Sequence, residues 1–421
     1  MRISLPAAAG RQERVSHRPV WGVPCLIVFL SLVAAQCGVA MPPLPSGVPS
    51  TQPVVSVAVL TPMTGELATF GEMVRNGIRL AFDEWNGQGG IDGRLIQWTL
   101  EDTRCDPAEA RQAAERAIAE GAIFIVGGVC SEAAIPIARV ADEQGVLFIA
   151  ATATHPLVTV DETGATRLLA FRAAYAYPYQ GQAAATFALQ DLHASRAAVL
   201  VDSGDRLQQT TVDQFRAAYV AGGGQVMATL AYTSTDADLD AWLSELVDTG
   251  GTVLYAPVAY PVANRIGAQI QSQGLDVTLI GSQLWESADI DPLALDGAYF
   301  TSHYSPAIPD TAAIAWAERY QSAFAIEPDT LAILGYDAGN LLATAIQRSQ
   351  SLAPRQVAQA LETMRYQGAV GCWRFDEQHN PLKEAIVLQI KDGHTRFVKA
   401  VGVQWPEAFH DSVDGGIRSS P

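Results

Sequence analysis

Five cysteines are spread over 421 residues, and no two of them form a Cys-x-x-Cys pair. That argues against a zinc finger or ribbon. There is no Gly-x-x-x-x-Gly-Lys-Ser/Thr loop, so the chain carries no P-loop for nucleotide phosphates. The seven histidines are scattered, with no metal-spaced pair, and no Gly-x-Ser-x-Gly elbow occurs. The chain thus offers no catalytic constellation, and neither a metal nor a cofactor is expected. Positive charge is also scarce: 27 Lys and Arg stand against 44 Asp and Glu, a net charge of −17. Residues 1–37 hold four Arg and one Glu, and taking that +3 away leaves −20 on the rest. A body so acidic, with no basic patch, is unsuited to nucleic acid or to an anionic lipid surface.

No apolar run is long enough to read as a membrane span. The run over 20–35 follows Arg2, Arg11, Arg14 and Arg18 and reads as the core of a signal peptide covering 1–37. It ends in Val33-Ala34-Ala35-Gln36-Cys37-Gly38, which resembles a bacterial lipoprotein cleavage site with Cys37 as the lipidated residue. Gln36 departs from the small residue expected there; the alternative is ordinary cleavage slightly further on. Prolines at 42, 43, 45, 49 and 53 make 38–53 an extended tether.

What the chain does have is apolar mass, 49% of residues, in strand and helix patterns that alternate. Its length suggests about two domains. Strand patterns over 54–60, 95–101, 123–126 and 146–150 alternate with helix patterns, which means βαβ units and a parallel sheet. The turn Gly127-Gly128-Val129-Cys130-Ser131-Glu132 leaves the carboxyl end of the third strand and opens a helix. Ligands of open α/β sheets sit outside such ends. Glycines admit close approach of a backbone, and the free N–H groups of a helix start, with the Ser131 hydroxyl, make a seat for a carboxylate. The plainer reading is a glycine turn with a serine cap and no ligand. A second polar loop, Ala150-Ala151-Thr152-Ala153-Thr154-His155-Pro156, leaves the next strand and could complete the site. His155 reads as a structural loop residue.

An aromatic segment, 171–181, reads as a crossing between lobes, with Tyr175, Tyr177 and Tyr179 as hinge packing. A second α/β series follows, with strands over 197–201, 225–231, 252–257 and 277–280 and helices near 180–192, 208–221, 237–248 and 261–273. A strand over 297–301 leads to a second crossing. Helices are expected near 311–325, 330–348 and 354–363, and short strands from 370 to 402. Cys105 and Cys130 each follow a strand-like run; a bridge between them would close a loop of about 26 residues, worth about 3 kcal/mol in the chain-entropy model. Cys372, between Val370 and Trp373, reads as a buried free thiol.

The order of these motifs resembles the periplasmic leucine/isoleucine/valine-type (branched-chain amino acid) solute-binding proteins of ABC importers. It rests on Thr61-Pro62-Met63-Thr64-Gly65, Asn86-Gly87-Gln88-Gly89-Gly90-Ile91-Asp92-Gly93, Glu101-Asp102-Thr103-Arg104-Cys105-Asp106-Pro107, the Gly-Gly-Val-Cys-Ser turn, the Ala-Thr-Ala-Thr-His-Pro loop, Phe171-Arg172 and Gly371-Cys372-Trp373-Arg374-Phe375-Asp376. The resemblance implies a type I periplasmic-binding-protein fold, two doubly wound parallel-sheet lobes joined by a three-crossing hinge. Lobe 1 is drawn at 54–173 plus 303–365, lobe 2 at 174–302 plus 366–404, and a tail at 405–421. The resemblance also implies a Cys105–Cys130 disulfide and an amino acid or similar carboxylate held in the cleft. Ser131, beside Cys130, takes the carboxylate; the Thr152 backbone and Thr154 hydroxyl take the head group; Phe70 lies alongside.

The second lobe departs from the family pattern. Gln283 stands where an acid pairs the ammonium in amino-acid binders, with Glu286 as a substitute. Arg206 or Asp205 replaces a usual tyrosine, or the two form a surface pair, and Tyr260 is a further candidate. The implied partners are a permease and an ATPase, with the membrane reached only through the lipid anchor. The chain is expected to be an exported monomer, periplasmic or at the cell surface. A sensor feeding a signalling partner is the alternative.

Overall fold

The structure is a computed structural model that describes residues 54–232, Leu243 and residues 250–402. The leader, the tether, Cys37, the tail and most of the helix expected near 237–248 lie outside the described residues.

The first sheet contains β1 (Val55–Thr61), β2 (Ile96–Asp102), β3 (Phe124–Gly127), β4 (Leu147–Ala150) and β5 (Ala170–Arg172), all parallel, in the order β2-β1-β3-β4-β5. Helices α1 (Ala68–Gly87), α2 (Pro107–Ala119) and α3 (Ser131–Gln144) cross over between its strands. Both faces are buried: Val57, Val59, Phe124, Val126 and Ile149 pack on one side, and Ala58, Leu60, Ile125 and Phe148 on the other. Burial on two faces explains why these strands are apolar runs without alternation. Pro107 at the first turn of α2 and Asp106 at its N-cap, accepting from the Ala108 and Glu109 N–H groups, account for that helix start.

The second sheet repeats the order. Strands β6 (Arg196–Asp202), β7 (Gln225–Tyr232), β8 (Val253–Tyr255), β9 (Thr278–Gly281) and β10 (Tyr299–Ser302) lie as β7-β6-β8-β9-β10, with helices α4 (Tyr179–Gln190), α5 (Arg206–Ala221) and α6 (Tyr260–Gln273) among them. Helices α7 (Thr311–Phe324), α8 (Thr330–Ser349) and α9 (Pro354–Thr363) follow. A small sheet comes next, β11 (Tyr366–Gln367), β12 (Cys372–Phe375) and β13 (Pro381–Leu382). The antiparallel hairpin β14 (Ala385–Lys391) and β15 (His394–Val401) completes the second sheet beside β10. Its turn is Asp392-Gly393, both at positive φ, as a tight hairpin requires.

Three readings are corrected. The third crossing lies between Leu382 and Ala385, not at 366, because Tyr366, Trp373 and Phe375 join the first lobe's core. Phe375 meets Phe171 edge-on at 5.1 Å, and His379 stacks on Phe171 at 3.8 Å. Cys372 is an exposed free thiol. Alternation along β12 turns Trp373 and Phe375 inward and Cys372 outward. Phe171-Arg172, read as part of a crossing, instead belongs to an edge strand of the first sheet.

The lobes are not independent near the crossings. One apolar cluster runs from Leu80 and Ala81 of α1, through Ala174, Tyr304, Trp316 and Tyr336, to Leu254 and Ile386 of the second sheet.

Candidate functional site

In each sheet the helices leaving the first and third strands in chain order fall on opposite faces, which opens a crevice at the carboxyl ends of β1 and β3 and of β6 and β8. In the first lobe this crevice is bounded by the loop before α1 and the glycine turn before α3. Gly127 sits at φ +138°, and a Cβ there would meet the Leu60 carbonyl oxygen at 2.2 Å. Gly128, at φ +76°, donates its N–H to the same oxygen at 2.8 Å. These two residues bring the chain back across β1 and aim the start of α3 into the crevice.

Cys130 caps α3 in extended conformation and is bridged to Cys105, with Cα atoms 5.6 Å apart. Because β2 and β3 flank β1, the bridge passes over the end of β1 and staples the loops on either side. Asp102 works alongside it: its carboxylate accepts from the Met63 N–H at 2.8 Å, the Thr64 hydroxyl at 2.5 Å and the Arg104 N–H at 2.9 Å. Partial burial raises the Asp102 pKa, but these hydrogen bonds outweigh it and hold the carboxyl below its usual value.

Ser131 is the first residue of α3. Its Oγ accepts from the His155 N–H at 3.2 Å, which leaves its own O–H free to donate. The Thr152 hydroxyl donates to the Val129 carbonyl at 3.1 Å, so this side chain ties the two loops together. Thr154 is buried, its carbonyl accepts from the Tyr177 N–H at 3.0 Å, and its hydroxyl has no partner among the described residues. Phe70, near the start of α1, is 46% exposed, an apolar surface on the helix that follows the β1 loop. His155 caps the turn Pro156–Val158 by accepting from the Leu157 N–H on Nδ1. Burial, then the Arg172 charge, lowers its pKa against a pull from Asp205 across the crevice. That assigns His155 a structural part.

Under this loop lies Arg172, fully buried on β5. Its guanidinium donates to the carbonyls of Ala153, His155 and Pro156 and to the Thr159 hydroxyl, at 2.8–3.3 Å. Burial pulls its pKa down to about 9, with Asp376 opposing, so it stays charged at neutral pH.

The opposing wall is built from the second lobe. Asp205 caps α5, accepting from the Leu207 and Gln208 N–H groups at 2.9 and 3.0 Å, and does not pair with Arg206. Arg206 is exposed, with no ion pair among the described residues. The Tyr260 hydroxyl reaches Asp289 at 3.4 Å. Glu286 keeps an exposed edge but is ringed by protein. That desolvation pushes its carboxyl up to about 7, against the Ser302 and Thr330 hydroxyls and with help from the Asp329 charge. Gln283 is half-buried. Its N–H donates to Gln180 Oε1 at 3.0 Å, and its side-chain Oε1 lies 2.9 Å from His303 Nε2.

Tyr177 joins the two walls. Its N–H bonds to Thr154 in the first lobe, and its hydroxyl contacts Pro257 O at 3.2 Å and Ser282 Oγ at 3.0 Å in the second. Tyr175 is also buried, its hydroxyl donating to Ser302 O at 2.9 Å. One tyrosine therefore spans from the Thr154 loop to the loop carrying Gln283. The sequence reading passed over Gln180, His303 and the support given by Arg172. The last carried a signal, an arginine ending an apolar strand; the other two carried none.

The chain matches the family model described as periplasmic binding protein over residues 54–395. It is 30% identical to the Leu/Ile/Val-binding protein BraC3 of Rhizobium johnstonii over 58% of this chain and 65% of that protein. It is 26% identical to the leucine-, isoleucine-, valine-, threonine- and alanine-binding protein of Pseudomonas aeruginosa, over 77% of this chain and 86% of that one. Among solved structures it resembles the leucine binding protein LivK of Thermotoga maritima, with a TM-score of 0.67 and 31% identity over 83% of this chain and 99% of that one.

Proposed function

This chain belongs to the periplasmic binding protein family, the exported solute-binding components of ABC importers, and from that premise we propose that it captures an amino acid or similar small carboxylate between its lobes. It is a transport receptor and not an enzyme: a permease and an ATPase take the solute onward. The observation that carries the ligand reading is Ser131, on the first turn of α3, with an O–H free to donate and the unpartnered Thr154 hydroxyl in the loop that bonds to it. A helix start favours an anion through its free N–H groups and its dipole. Phe70 supplies an apolar wall. Asp205, Arg206, Tyr260, Gln283 and Glu286 are the second-lobe groups from which closure over the solute draws its contacts, and closure is a shift of population driven by those contacts.

The test is a melting-temperature screen of the exported protein against amino acids, amides, dicarboxylates and aromatic acids, with Ser131→Ala in parallel. A carboxylate should stabilise in proportion to its occupancy. Ser131→Ala should weaken its binding by about tenfold or more, the worth of one hydrogen bond to a charged group. Stabilisation by neutral polyols or cations alone, or an unchanged affinity in the variant, would sink the carboxylate seat.

We also propose that Cys37 carries a lipid that tethers the protein to the membrane through residues 38–53. Cells grown with labelled palmitate should label the wild type and not Cys37→Ala. Equal labelling of both would refute the anchor.

A further inference from the structure

The wall facing Ser131 contains a side chain whose orientation can be worked out. Gln283 Oε1 and His303 Nε2 are 2.9 Å apart, and that pair is compatible with two arrangements. In one, the ring carries its proton on Nε2 and donates to Oε1. In the other the amide is turned over, its NH2 donates to Nε2, and the ring proton sits on Nδ1.

The surroundings choose between them. His303 is buried and stacked on Tyr175 with ring centroids 3.6 Å apart. Burial, with the Lys383 cation adding to it, holds its pKa well below the usual histidine range, so the ring is neutral and has one N–H. Its Nδ1 is inaccessible and has no partner among the described residues. A proton on Nδ1 would leave a buried donor unpaired, while the Nε2–H donor is satisfied. Orphaned buried N–H groups are also rarer than under-used acceptors. The proton therefore sits on Nε2, and Gln283 accepts through Oε1.

The rest of Gln283 is held as firmly. Its backbone N–H is bonded to Gln180 Oε1, which also accepts from the Thr301 hydroxyl at 2.8 Å. The preceding Ser282 is bonded to Tyr177, and the following Trp285 is buried, with Nε1 donating to Val258 O at 3.0 Å. The amide NH2 has no partner among the described residues and belongs to a half-buried side chain in the turn just past the carboxyl end of β9, the end at which ligands of open α/β sheets sit.

We propose that the stack Tyr175–His303 fixes Gln283 as a hydrogen-bond donor in the second lobe, so that the solute presents an acceptor oxygen there in place of an ammonium. This rests on the carboxylate reading of the first lobe and narrows it to carboxylates with a carbonyl or second oxygen beside the carboxyl group, 2-oxo acids over amino acids. Gln283 is the specificity residue and His303 the residue that positions it.

The experiment is calorimetric titration of the exported protein with two matched pairs, leucine against 4-methyl-2-oxopentanoate and phenylalanine against phenylpyruvate. Each pair differs only in an ammonium or a carbonyl beside the carboxylate. The wild type should bind the 2-oxo acid about tenfold or more tightly in whichever pair it accepts. Gln283→Glu replaces the donor with an acceptor of the same length and should reverse the preference. His303→Phe keeps the stack on Tyr175 but frees the amide to turn, and should bring the ratio close to one; a merely structural histidine would leave the ratio alone. A wild-type preference for the amino acid, or a ratio that Gln283→Glu does not move, overturns the proposal. If Ser131→Ala still weakens both members of a pair in that case, the carboxylate seat survives it. If none of the four binds, the 2-oxo acid assignment is overturned and the wider screen decides the seat; if Ser131→Ala has no effect on those that do bind, the seat fails and the donor assignment falls with it.

Discussion

Gly127→Ala is expected to destabilise the protein by about 4 kcal/mol and to abolish solute binding in whatever fraction still folds. The position has φ +138°, a region that L-residues rarely enter, and strain of that kind costs about 1–3 kcal/mol. The added Cβ would also lie 2.2 Å from the Leu60 carbonyl oxygen, which cannot retreat, because β1 is hydrogen-bonded on both sides, to β2 and β3. Forcing it aside adds about 1–3 kcal/mol more. The displacement is passed directly to Cys130 and Ser131, so binding is lost with stability. Gly128→Ala is the milder comparison: its φ of +76° also strains an L-residue, but its Cβ would meet the buried Ala134 Cβ and Phe148 ring at 3.1 Å, a tight contact and not an overlap with backbone. Urea denaturation with and without a carboxylate solute checks both. A Gly127→Ala protein with wild-type midpoint and affinity would show that the turn does not need its glycine.

Arg172→Leu is expected to cost about 3–5 kcal/mol. The guanidinium organises three carbonyls and one hydroxyl of the loop before β5, and no other cation bonds to these groups among the described residues. The Ala153 carbonyl and the Thr159 hydroxyl would be left buried and unpaired, at about 1–3 kcal/mol each, while the His155 and Pro156 carbonyls keep the backbone N–H groups of Val158 and of Thr159 and Val160. Because Thr154 and His155 lie in that loop, the affinity for a carboxylate solute should also fall. Arg172→Lys should recover only part of the loss, since a point charge cannot reach the same fork of acceptors. Chemical denaturation of both variants measures this. A loss under about 1 kcal/mol for the leucine variant would mean the loop holds its shape without the arginine.

These two residues mark where reading the chain succeeds and where it stops. Gly127 and Ser131 were legible because their neighbours set their surroundings: an apolar run before, a helix pattern after, two glycines between. The alternating strands and helices were legible for the same reason, as a period of burial imposed on nearby positions. The third crossing was misplaced, and Cys372 was turned the wrong way, because the strand over 372–375 takes its inward face from the Phe171 ring, some two hundred residues earlier in the chain.

The sequence alone pointed to the alternating strands and helices of two largely parallel sheets, to the export context, to the acidic character, and to the proposed seat at the start of α3. All of these follow from composition or from residues within a turn or two of one another. Only the tertiary structure decided what faces that seat. Gln283 becomes a donor because His303, twenty residues on, lacks a second partner, and because Gln180, about a hundred residues before it, holds its backbone. Hydrogen-bond direction in a buried network depends on every group that competes for the same proton, and here three separate stretches of the chain, the start of α4, the turn after β9 and the segment after β10, bring those groups together.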